Sequence, residues 1–79
     1  YTVLKEYDAA HNSDLCHLFT QFLLNGRNVN QTSIMIYMHR NTVLNKVKKA
    51  ISVMHYEFTD YQSQLAFILS YLNEHQNLL

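Results

Sequence analysis

The sequence predicts an all-α fold: a small helical domain of about five helices. Three observations carry that expectation. Apolar residues recur at helical spacing almost throughout, and no stretch alternates as a half-buried strand does. The chain has no Pro and a single Gly, so little interrupts long helices. At 79 residues and 48% hydrophobic content, it offers one core, since so short a chain buries only about 60% of its unfolded surface.

The elements follow in order. Val3, Leu4 and Tyr7 begin a first helix that ends near His11. Ser13 caps a second helix with the stripe Leu15, Leu18, Phe19, Phe22 and Leu23, and Asn25-Gly26 closes it because both residues accept the left-handed conformation. Asn28, with Gln31 three positions later, has the capping-box pattern and opens a third helix through about Tyr37. Met38-His39 forms the next turn, with His39 as cap. A fourth helix runs from Arg40 to about Met54, with Val43, Val47, Ala50, Ile51 and Met54 on its inner side. Thr59 or Asp60 caps the last helix, whose stripe is Tyr61, Leu65, Ile68, Leu69 and Leu72.

The formal net charge is zero, yet the charge is unevenly placed. Five of the six Lys and Arg residues lie from Arg27 to Lys49, and no acid stands between Asp14 and Glu57. A Lys-rich helix alone is usually just a solvated face, but ordinary surface helices interleave both signs. Distribution, not the sum, decides nucleic-acid binding.

Several classes are set aside. No apolar run approaches the ~18–20 residues of a membrane span, and no signal peptide opens the chain. One Cys makes no internal disulfide, which fits a reducing cytoplasm. The start at Tyr1 points to a fragment of a longer chain. No nucleophile with a matching base, no paired carboxylates and no Gly-rich phosphate loop stand out, so an enzyme is not expected. Cys16 and the five histidines, His11, His17, His39, His55 and His75, lack ligand spacings such as i, i+4, so neither metal nor cofactor is expected.

A short helix, a turn and a longer helix form a helix-turn-helix, here residues 28–54, which lays its second helix in the DNA major groove. Ser33 supplies the small inner residue that close crossing needs, and Ile36, Met38 and Val43 lock the pair. Tyr37 stands where many such turns use Gly. A non-Gly residue with positive φ is uncommon, so a turn of different form is expected. At 100° per residue, Asn41, Asn45, Lys48 and Ser52 oppose the apolar arc, with Thr42 and Lys49 beside them.

The roles follow from chemistry. Arg40 reaches a guanine edge or a phosphate, with a salt bridge to a nearby acid as the competing role. Asn41 and Asn45 suit adenine. Thr42, with the N–H groups of the first turn, suits a phosphate, or else serves as a capping hydroxyl. Lys46, Lys48 and Lys49 hold phosphates without reading sequence. Arg27, Asn28 and Gln31 touch the DNA backbone from the start of the bracing helix, Asn28 being equally a cap. His39 caps more readily than it reads a base, and Leu44 lies on the same surface.

The run NVNQTSIMIYMHRNTVLNKV resembles the C-terminal helix-turn-helix domain of the PucR/CdaR family of bacterial transcriptional regulators. Asn28, Thr32, His39, Arg40, Asn41, Thr42 and Val43 match that family's pattern. YDAAHNSDL resembles its lead-in and QLAFIL its closing helix, so the likeness spans nearly the whole chain. Fis-type domains share part of it. Leu44 and Asn45 depart from the family's usual Arg and Tyr. The resemblance implies a single DNA-binding domain, residues 1–79, of a cytoplasmic, multidomain regulator that binds double-stranded operator DNA, with an effector-sensing domain elsewhere in the chain. A homodimer is in keeping with paired half-sites. The rival reading is a helical protein-interaction or dimerisation module that keeps the fold without binding DNA, with Leu44 in an apolar contact surface.

Overall fold

The computed structural model describes residues 1–76. It contains α1 (Thr2–His11), α2 (Leu15–Leu24), α3 (Val29–Met35), α4 (Arg40–Met54) and α5 (Tyr61–Gln76), with no strand among the described residues. The all-α expectation is met.

α2 is the centre because it is apolar on nearly every side, the pattern of a buried helix. It packs against each of the other four helices. Leu15, Cys16, Leu18, Phe19, Phe22 and Leu23 are buried on it, joined by Leu4 of α1, Val43, Val47 and Ala50 of α4, and Phe67 of α5. The one buried polar group on α2, Thr20, donates its hydroxyl to the Cys16 carbonyl at 2.7 Å. That bond removes the desolvation cost of an unpaired hydroxyl.

The close of α2 follows the sequence. The Gly26 N–H donates to the Leu23 carbonyl (3.1 Å) and the Arg27 N–H to the Phe22 carbonyl (2.9 Å). This is a Schellman motif, with Gly26 at φ 66°.

The start of α2 corrects an expectation. Ser13 is not the cap. Asp8, a turn from the end of α1, accepts from the Leu15 N–H (2.9 Å), the Cys16 N–H (2.8 Å) and the Ser13 hydroxyl (2.6 Å). A carboxylate reaching two free N–H groups of a helix start satisfies them better than a single hydroxyl.

α5 holds the largest departure. Of its expected stripe, Tyr61, Leu65, Leu69 and Leu72 are exposed and Ile68 is half-buried, while Phe67 is the buried residue. Phe67 meets Phe19, Phe58 and Tyr1 edge to face, at centroid distances of 5.3, 5.5 and 5.3 Å. Edge-to-face packing of four rings outweighs the alignment of leucines. Of the two candidate caps, Asp60 does the work, its carboxylate accepting the Ser63 N–H at 2.9 Å.

Candidate nucleic-acid interface

α3 starts at Asn28, whose side-chain oxygen accepts the Gln31 N–H at 2.9 Å. Only this half of the capping box forms, because the Asn28 N–H donates to the Asn25 carbonyl instead. On α3 the fully buried side chain is Thr32, and Ser33 is half-buried. The Thr32 hydroxyl donates to the Asn28 carbonyl at 2.7 Å.

α3 ends at Met35, two residues short of the expected Tyr37. The Met38 N–H then donates to the Ser33 carbonyl at 3.0 Å, again closing the helix as a Schellman motif. Tyr37 occupies the left-handed position at φ 55°. The expected departure of the turn is therefore corrected: Tyr37 adopts the conformation a Gly would supply, at a strain of roughly 1–2 kcal/mol. Its ring is 97% exposed and anchors nothing. Ile36 and Met38 on either side pack against the core and hold the turn.

His39, extended at φ −60° and ψ 140°, caps α4 by accepting the Asn41 N–H on Nδ1 at 3.1 Å. The Arg40 Nε donates to the Asn30 side-chain oxygen at 2.5 Å, tying the first turn of α4 to α3. That partner is an amide, where sequence left open a salt bridge. Asn30 escaped notice because nothing local links it to Arg40.

With Val43, Val47 and Ala50 in the core, the outward arc of α4 is settled. Asn41, Thr42, Asn45, Lys48 and Lys49 are exposed, and Leu44 and Lys46 are half-buried. Asn28, Gln31, His39 and Arg40 are exposed at the near end of this surface. Thr42, Asn45, Lys46 and Lys49 also border a cavity of about 350 Å³ against Tyr7, Ser13 and Leu15. The Lys49 ammonium lies 5.5 Å from the Tyr7 ring centroid.

Ion pairing separates the cations into two sets. Lys5 pairs with Glu74 at 2.8 Å. Arg27 meets the Glu57 carboxylate at 4.0 Å and carbonyl at 3.2 Å, and lies over the Phe22 ring. It joins two loops. Among the described residues, Arg40, Lys46, Lys48 and Lys49 form no ion pair.

Acids are occupied elsewhere. Burial pushes the Asp8 carboxyl up, but bonds from Ser13, Cys16 and Leu15 outweigh it and leave the group below the usual carboxylate range. The Tyr56 hydroxyl and the Ser63 N–H hold Asp60 at about 2. Burial, with a bond to Asp8, pushes the Cys16 thiol up to about 12, which makes it an inert core residue.

A family model of the PucR C-terminal helix-turn-helix domain matches residues 15–73. The chain belongs to this family. The match takes in α2, α3 and α4 and most of α5. No curated protein and no solved structure matches the chain. The PucR C-terminal domain is a helix-turn-helix domain of transcription regulation, a family generally without enzymatic activity. Among the described residues, no helix is long and apolar enough to cross a membrane, and no three His, Cys, Asp or Glu side chains gather as a metal site.

Proposed function

We propose that this PucR C-terminal domain binds double-stranded operator DNA sequence-specifically, as part of a cytoplasmic bacterial transcriptional regulator with an effector-sensing domain elsewhere in its chain. The observation that carries this is the surface formed by α4 and its first turn: Arg40, Lys46, Lys48 and Lys49, which form no ion pair among the described residues, with interleaved amides and no acid. α4 lies in the major groove and α3 braces it. Asn41 and Asn45 reach base edges, and the Arg40 terminal nitrogens, left free by the Nε bond to Asn30, reach a guanine or a phosphate. Lys46, Lys48 and Lys49 hold phosphates, with Thr42 beside them. Asn28 and Gln31 meet the DNA backbone from the start of α3, and His39 and Leu44 flank the contact.

A salt series on mixed duplex DNA tests the reading. Affinity is expected to fall with a log–log slope near −0.9 for each phosphate contacted, and Arg40→Ala and Lys48→Ala weaken it. Absence of binding at low salt, even for a covalently linked pair of domains, would defeat it.

A second reading, a protein-interaction module that keeps the fold without binding DNA, is favoured by the exposed Ile34, Met35 and Tyr37 on α3 and its turn. Apolar association responds weakly to salt, so the same series separates the two.

A further inference from the structure

The face of α5 that reads as a core stripe in sequence points to solvent. Tyr61 is 79% exposed, Leu65 44%, Leu69 54% and Leu72 41%. At 100° per residue these four fall within an arc of about 80°, and Ile68 at its edge connects them to the core. The patch continues onto α2, where Leu24 is exposed and, with Leu23, Tyr61, Leu65 and Ile68, borders a cavity of about 310 Å³.

Two properties of this face identify its occupant. Tyr61, Leu65, Ile68 and Leu72 are spaced four, three and four residues apart, the rhythm of a coiled-coil seam. That spacing reads the same in both directions. A second copy running antiparallel therefore sets Tyr61 against Leu72 and Leu65 against Ile68 at both ends, as an isologous contact requires. In addition, α5 carries no charged side chain from Tyr61 to Asn73. Pairing two copies buries this stretch against itself, and because it is uncharged no unpaired charge is left in the contact. Conversely, an acidic or basic partner would find nothing complementary.

We propose that α5 pairs antiparallel with the α5 of a second copy of this chain. The pairing leaves the DNA face open, because α5 packs on α2 and not on α4. It deepens the DNA-binding reading by supplying two recognition helices for two half-sites, and its purpose, not its existence, rests on that reading.

Sedimentation equilibrium without DNA, from micromolar to submillimolar chain, tests it. The mass is expected to rise from 9.4 kDa toward twice that value. Leu65→Glu and Leu65→Lys each remain monomeric with unchanged far-UV circular dichroism, and an equal mixture of the two regains a dimer. A wild-type chain that stays at 9.4 kDa throughout overturns the pairing. So does a Leu65→Glu variant that dimerises as well as the wild type. DNA binding is read separately, so a dimer that ignores DNA removes the DNA reading alone.

Discussion

α4 and α5 are of nearly equal length, fifteen and sixteen residues, but they divide their side chains differently. α4 has one apolar side, where Val43, Val47 and Ala50 are buried and Ile51, Val53 and Met54 pack beside them, and everything directly opposite is amide, hydroxyl or ammonium. It can be buried only one way. α5 is uncharged from Tyr61 to Asn73 and carries large apolar groups on more than one side. Hydrophobicity alone leaves its rotation undecided, and ring geometry around Phe67 decides it. A helix with a strong polar face carries its orientation in its own sequence, whereas a uniformly apolar one takes it from its neighbours.

The largest test of that contrast lies within α5. Phe67→Ala is expected to cost about 3–5 kcal/mol in urea denaturation. Leu69→Ala, measured dilute enough to be monomeric, is expected to stay within about 0.5 kcal/mol. Equal losses would mean that α5 is rotated from its described position.

The approaches to the two helices offer a sharper pair. Tyr37 before α4 and Phe58 before α5 both hold positive φ, 55° and 56°, but Tyr37 is exposed and Phe58 is buried. Tyr37→Gly releases strain and loses no packing, so thermal melts should show a gain of about 1 kcal/mol. Phe58→Gly releases similar strain but forfeits its aromatic contacts, for a net loss of about 2–4 kcal/mol. A loss in both would refute the assignment of strain to Tyr37.

In DNA binding, Lys48→Ala should lower the log–log salt slope by about 0.9, whereas Lys5→Ala, whose ammonium already pairs with Glu74, should leave it unchanged. The same slope change in both variants would remove the distinction between paired and unpaired cations.

The smallest effect concerns the caps. Asp60 caps α5 with its carboxyl held at about 2 by Tyr56 and Ser63, below the unfolded value of about 3.9. A depressed carboxyl stabilises fully above the unfolded value, and that contribution disappears as pH falls through about 2. The Ser63 amide shift in an NMR titration should follow that low midpoint. A midpoint near 3.9 would show that the cap does not form.

Much was legible in the sequence because it was local. The five helices, the inner face of α4, the caps Asn28 and His39 and the close at Asn25-Gly26 all follow from residues within a turn or two of each other. The outward face of α4 follows too, as the complement of a clear apolar arc. What was missed involves partners distant in sequence or in competition. Ser13 looked like a cap, but Asp8 arrives from the preceding helix with two lone-pair acceptors. The contact of Arg27 with Glu57 spans thirty residues and leaves no local signal. Tyr37 predicted a turn of different form, but Ile36 and Met38, packed against the core on either side, hold it in a left-handed one.

By itself, then, the sequence determined the helical class, the order of helices and the polar arc of α4, since backbone periodicity and capping act over a few residues. Only the tertiary structure decided which cations remain unpaired, which residue caps α2 and which face α5 turns inward. Each of those depends on groups that meet through the folded chain, where ring packing and ion pairing compete with what a local pattern prefers.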